Sequence, residues 1–124
     1  MSRILIVDDE KNIRDLVQTT IQSQIPSACV ETAKAGSEAF TLLGSFLPDL
    51  MITDLGMPEM NVTDLIKFIQ DNKRYAQTKI IVITGLAKDN AIVKEVMALK
   101  TAKIFFKPIE IEKFIVKVKE LAIL

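Results

Sequence analysis

Six side chains in this sequence make up a set suited to handling a phosphoryl group: Asp8, Asp9, Glu10, Asp54, Thr84 and Lys107. Carboxylates hold a hard divalent cation such as Mg²⁺, which prefers oxygen ligands and keeps several waters. One carboxylate can serve as a nucleophile. The cation, an ammonium and a hydroxyl stabilise phosphoryl oxygens. The chain has no His, so the commonest general base and metal ligand is missing. Carboxylates, Lys, Thr or a metal must carry any chemistry. Each of the six also has an ordinary reading. An Asp after a strand is mostly a turn residue, and acids before a helix favour its positive end. A Thr hydroxyl often closes a turn, and a Lys before Pro is usually a solvated charge. The set carries weight only if the fold gathers positions 8 to 107 in one place.

The surrounding sequence supplies a way to do so, because each acid, hydroxyl or ammonium follows a short apolar run. Ile4-Leu5-Ile6-Val7 ends at Asp8-Asp9-Glu10. Leu50-Met51-Ile52-Thr53 ends at Asp54, with Gly56 and Pro58 close behind. Ile80-Ile81-Val82-Ile83 ends at Thr84-Gly85, and Ile104-Phe105-Phe106 ends at Lys107-Pro108. Runs apolar on both faces are typical of the centre of a parallel sheet. Residues 28–32, which carry Glu31 and Thr32, read as a shorter edge strand.

Between the strands the apolar period lengthens to that of a helix. The predicted stripes are Ile13, Leu16, Val17 and Ile21, with Pro26 beyond the end; Ala39, Phe40, Leu43, Phe46 and Leu47, with Ser37 as the N-cap; and Val62, Leu65, Ile66 and Ile69. A fourth helix spans residues 91–99, with either Ile92, Val96 and Leu99 or Val93, Val96 and Met97 facing inward. The fifth uses Ile111, Phe114, Ile115, Val118 and Leu121. Strand and helix alternate five times, the (βα)5 pattern of an α/β, doubly wound parallel sheet with helices on both faces and right-handed crossovers. In such sheets ligands bind at the carboxyl ends of the strands.

Composition narrows the remaining possibilities. At 124 residues the size suits one domain over 1–124. Lys+Arg and Asp+Glu are both 16, so the net charge is zero and no bulk attraction to nucleic acid or an anionic membrane is expected. No apolar stretch approaches the ~20 residues of a membrane span, and Met1-Ser2-Arg3 leads straight into a strand without a secretory signal. The lone Cys29 forms no internal disulfide or zinc site and suits a reducing, cytoplasmic setting.

Four segments, in order, resemble the receiver domain of bacterial two-component response regulators, the single-domain chemotaxis regulator among them. They are Ile-Val-Asp-Asp-Glu at 6–10, Pro-Asp-Leu-Met-Ile-Thr-Asp-Leu-Gly-Met-Pro at 48–58, Ile-Val-Ile-Thr-Gly at 81–85 and Phe-Lys-Pro at 106–108. The resemblance covers essentially the whole chain. It implies a flavodoxin-like receiver fold with five parallel strands in the order 2-1-3-4-5. It also implies that Asp54 is the phosphoacceptor, served by the phosphohistidine of a sensor histidine kinase or phosphotransfer protein. Asp9, Asp54 and the Gly56 carbonyl match the Mg²⁺ ligands, with Asp8 acting through water. Thr84 and Lys107 match the hydroxyl and the base that hold the phosphoryl group. A signalling phosphoacceptor of this kind is not a turnover enzyme. Its downstream protein target would bind the surface of the fourth helix, fifth strand and fifth helix.

Three positions depart from that pattern. Ile104 stands where the family carries Tyr or Phe, Lys100-Thr101 replaces Gly-Ala, and Val62 replaces a Gly. Phe105 cannot stand in for the missing ring, because neighbouring strand side chains face opposite ways. Val62 is expected to constrain the loop before the third helix. Gly56 and Leu86 offer no group to orient an attacking water, which predicts slow to moderate loss of phosphate. A second reading is a receiver-fold interaction module whose output no longer depends on phosphate. A third, a metal-dependent phosphatase, lacks the second acid such an enzyme carries two residues after its nucleophile, since Gly56 is there.

Overall fold

The computed structural model describes residues 2–57 and 61–122. Pro58, the last residue of the 48–58 segment, lies outside them. Five strands, β1 (Arg3–Val7), β2 (Cys29–Ala33), β3 (Leu50–Asp54), β4 (Lys79–Thr84) and β5 (Lys103–Phe106), alternate with five helices. These are α1 (Lys11–Gln24), α2 (Gly36–Phe46), α3 (Val62–Asp71), α4 (Ala91–Ala98) and α5 (Ile111–Ala122). A short 3-10 turn, Lys73–Tyr75, follows α3. All strand pairs are parallel and the order is β2-β1-β3-β4-β5, as the resemblance implied.

The apolar runs divide by parity. Leu5, Val7, Met51, Ile80 and Val82 join Leu43, Leu65, Ile66, Val93 and Val96 in the core under α2, α3 and α4. Ile4, Ile6, Leu50, Ile52, Ile81 and Ile83 face the other way onto Val17, Ile21, Phe114 and Val118 of α1 and α5. A strand alternates its side chains between faces, so runs that are apolar throughout fill two cores at once. β5 obeys the same rule. Ile104 and Phe106 pack on the α2–α4 side. Phe105 packs on the other side, edge-on to Phe114 with ring centroids 5.6 Å apart.

Several details differ from the expectations. β2 runs one residue later than predicted, and its five residues make it as long as β1. Ser37 does not cap α2. The helix begins two residues earlier than such a cap requires, with extended Ala35 as its N-cap and the Ala39 N–H donating to the Ala35 carbonyl. Leu16 is 46% exposed, because Val17 and Ile21 are the residues α1 turns inward. Leu47 leaves the α2 stripe: it is the C-cap, in a left-handed conformation with φ 48°, and is exposed. In α4, Val93 and Val96 are buried while Ile92 and Met97 face outward, so neither proposed triplet holds in full. Val62 lies in the first turn of α3, 2% exposed and packed in the α2–α4 core, so it anchors the helix. Asn61 supplies the cap there, accepting from the Thr63 N–H at 3.0 Å.

Lys100 also occupies a left-handed position, φ 56°, just past α4. Here its departure from glycine has a physical cost, because a Cβ is disfavoured in that region. Lys100→Gly is expected to stabilise the fold by about 1 kcal/mol. Urea unfolding measures it, with the midpoint rising and the slope unchanged.

Candidate functional site

The carboxyl ends of β1, β3 and β5 meet on one edge of the sheet. Asp8 follows β1 directly and extends its pairing with β2, its N–H donating to the Ala33 carbonyl. Its Oδ1 accepts the Glu10 N–H at 2.9 Å, leaving Oδ2 free to face the site. Asp54 ends β3 and accepts the Gly56 N–H on Oδ1 at 3.2 Å, so the turn after the strand is tied to its own carboxylate. Asp8 and Asp54 are 3% and 5% exposed. The structure thus brings the Gly56 amide to Asp54. A Cβ on Gly56 would lie 3.9 Å from both Asp54 oxygens.

Lys107 closes the edge. Its N–H donates to the Thr84 carbonyl at 2.8 Å, continuing the β4–β5 pairing. Its ammonium lies 3.1 Å from Glu10 Oε1, 3.5 Å from Asp54 Oδ2 and 3.7 Å from Asp8 Oδ2. Its aliphatic stem runs past Gly85, where a Cβ would sit 3.8 Å from Cδ. Thr84 is fully buried at the end of β4. Its oxygen accepts the Leu86 N–H at 3.0 Å, which occupies a lone pair and leaves the hydroxyl proton available to donate.

The electrostatics follow from burial. Desolvation raises the Asp8 carboxyl to about 6; the Glu10 N–H opposes this, while the nearby Asp54 charge adds to it. For Lys107, burial pulls the ammonium downward. The Glu10 hydrogen bond and the charges of Asp54 and Asp8 outweigh it, so the ammonium is held above its ordinary range.

Asp8, Asp9, Glu10 and Asp54 each offer a carboxylate oxygen, and these atoms lie within 4.8 Å of one another. The donor set is all oxygen, and three of the four acids, Asp8, Glu10 and Asp54, lie around the Lys107 ammonium, leaving an excess of negative charge. Both features suit a hard divalent cation. Asp9 is the exposed member of the central pair and Asp8 the buried one.

The structure gathers Asp8, Asp9, Asp54 and Lys107 at one edge, with Thr84 at the end of β4 and Gly56 just past β3. The sequence sets Glu10 beside the other acids without a role of its own, yet it is the carboxylate nearest the Lys107 ammonium. Its place three residues after the end of a strand gives no hint of a partner 97 residues away.

A family model for the response regulator receiver domain matches residues 4–119. The Regulator of RpoS of Escherichia coli K12 is 35% identical over 108 residues, covering 87% of this chain and 31% of that protein. The response regulator SaeR of Staphylococcus epidermidis is 42% identical over 71 residues, covering 57% of this chain and 30% of that one. This chain therefore spans about a third of the length of these curated relatives. Among solved structures, the signal receiver domain of a DNA-binding response regulator (merR) from Colwellia psychrerythraea 34H superposes with a TM-score of 0.90. It is 26% identical, with 98% of each chain covered. The chemotaxis response regulator CheY4 of Vibrio cholerae gives a TM-score of 0.83 at 27% identity, again over 98% of each chain. With a family match running from the first strand into the last helix, and a backbone that superposes throughout on solved receivers, the chain belongs to the response regulator receiver domains of two-component systems.

Proposed function

We propose that Asp54 accepts a phosphoryl group from the phosphohistidine of a sensor histidine kinase or phosphotransfer protein. The observation that carries this reading is the buried Asp54 carboxylate with the Lys107 ammonium 3.5 Å from its Oδ2. An Asp54 oxygen attacks phosphorus and the new O–P bond forms. The P–N bond breaks, its electron pair goes to the departing imidazole, and the imidazole takes a proton from solvent. Lys107 lies beside Asp54 Oδ2, where it can stabilise the negative phosphoryl oxygens that arrive on Asp54. The Thr84 hydroxyl, with its proton free, can donate to a phosphoryl oxygen.

Asp9, Asp54 and the Gly56 carbonyl would hold Mg²⁺, with Asp8 acting through water. When bound, the ion supplies positive charge that offsets the crowded carboxylates and polarises phosphoryl oxygens. The modified Asp54 then biases the β4–α4 and β5 region toward a second arrangement, as phosphorylation switches do. A ~100-fold population shift needs about 2.7 kcal/mol of differential stabilisation. The product of this step is a signal, so the domain acts as a phosphoacceptor in the cytoplasm. Its protein target binds the α4–β5–α5 surface, with no direct contact to nucleic acid or membrane.

Ile104 favours the second reading, a receiver-fold interaction module independent of phosphate. It packs with the α2–α4 core and carries no ring that could follow Thr84 inward. One experiment separates the two. Incubation with acetyl phosphate and Mg²⁺ is expected to retard the wild-type chain on a phosphate-binding gel, and Asp54→Asn to abolish the retardation. A wild-type band that never shifts would sink the phosphoacceptor reading.

The burial of Asp8 generates a second expectation. Its folded-state pKa of about 6 lies above the ordinary 3.8, so the folded chain binds more protons between these values. Stability of the metal-free protein therefore falls as pH rises from about 4 to about 6, and the loss is complete above that window. Asp8→Asn is expected to stabilise the metal-free protein at pH 7.5 by on the order of 2 kcal/mol, with little gain at pH 4. Denaturant unfolding in chelator at the two pH values measures this. Added Mg²⁺ should raise the melting temperature of the wild type more than that of the variant.

A further inference from the structure

The Lys107 ammonium has three N–H donors and three carboxylates around it, and the nearest is Glu10 rather than Asp54. Glu10 Oε1 is 3.1 Å from Nζ, against 3.5 Å for Asp54 Oδ2 and 3.7 Å for Asp8 Oδ2. The three acids differ in freedom. The Asp8 and Asp54 side chains are 4% and 7% exposed, whereas that of Glu10 is 59% exposed. Core packing holds the first two, while Glu10 reaches in from solvent on a rotatable stem. Glu10 is also the N-cap of α1, where a short oxygen-bearing side chain such as Asp or Ser commonly accepts a helix N–H. It makes no such bond and turns to Lys107 instead.

We propose that Glu10 is a displaceable counter-charge: it occupies Lys107 while Asp54 is unmodified and releases the ammonium to the phosphoryl group. This rests on the reading of Asp54 as the phosphoacceptor. A phosphoryl group brings roughly −1.5 to −2 of charge and three acceptor oxygens. Those oxygens would form on the buried side of Lys107, where charge-assisted hydrogen bonds are strong. Glu10 carries the same sign as the incoming group. Its exposed carboxylate can withdraw into water at little cost, because an exposed ion pair is worth little. Asp8 has no such exit. Glu10 therefore stabilises the unmodified state and opposes an anionic donor, acting on the reaction through Lys107 as a positioning residue. The rival role is that of a further cation ligand, since its carboxylate belongs to the group of four. That role predicts the opposite sign, with slower uptake when Glu10 is lost.

The test is the initial rate of phosphate uptake from acetyl phosphate with Mg²⁺, read on a phosphate-binding gel. It compares wild type, Glu10→Gln, Glu10→Ala and the Asp54→Asn control. Gln keeps an oxygen that can accept from Lys107 but removes the charge, so the pair of variants separates charge from hydrogen bonding. Both are expected to react roughly two- to five-fold faster than wild type at low salt, the scale of an exposed ion pair. The gap should close as KCl approaches about 0.5 M, because a charge effect is screened and a purely structural one is not. Three results would overturn the proposal: a Glu10→Gln rate at or below wild type, a gain that ignores salt, or a raised Mg²⁺ requirement. If the wild type shows no Asp54-dependent uptake, both this proposal and the reading beneath it fail. Normal wild-type uptake with an unchanged Glu10→Gln rate removes this proposal alone.

Discussion

Four carboxylates at one end of a sheet repel one another, and Lys107 is the cation that the described residues place among them. The rest of the edge depends on that contact. Without the ammonium, Asp8 and Asp54 would be buried like charges with little access to water, a costly arrangement. With it, the charges remain unequally balanced. Asp8 is pushed up to about 6 by its burial, and Lys107 is held more firmly protonated. An edge left with excess negative charge favours added positive charge, and it also holds an ammonium ready for new oxygens. The negative excess suits the site to a divalent cation, while the ammonium is the group suited to anionic oxygens.

The sheet makes that contact possible. Parallel pairing places the ends of β1, β3, β4 and β5 on one side, so residues about a hundred positions apart become neighbours. The strands can be apolar on both faces because helices cover both. α2, α3 and α4 take one set of side chains, and α1 and α5 take the other. Rigid strands ending in polar groups hold Asp54 and Thr84 within packed walls, while Glu10 remains outside them in solvent.

The three departures from the family pattern have different physical meanings. Val62 costs little, because it lies in the first turn of a helix and is buried in the core. Lys100 carries backbone strain at φ 56°, close to β5 and away from the acids. Ile104 packs with the core beneath α4 while Phe105 is turned to the opposite face against Phe114. A ring one position along the strand cannot substitute for one on the right face. The three departures thus lie outside the acid cluster of Asp8, Asp9, Glu10 and Asp54.

Much of this protein was determined by its sequence alone. The apolar runs ending at Asp8, Asp54, Thr84 and Lys107 mark strands and their polar ends, because strand and helix periods differ and Gly or Pro follows three of the four breaks. The helix stripes of Val62, Leu65, Ile66 and Ile69 were equally legible, since all four lie on one buried face. Other features were decided by tertiary structure. Leu16 and Met97 have the composition of core residues but face outward, because the packing of each helix on its sheet sets which side turns in. Ser37 has the chemistry of a cap, but the cap position is Ala35, two residues earlier. Glu10 reads locally as one more acid before a helix. Its contact with Lys107 exists only because parallel pairing brings the ends of β1 and β5 to the same edge, and no local pattern encodes a distance across a folded sheet.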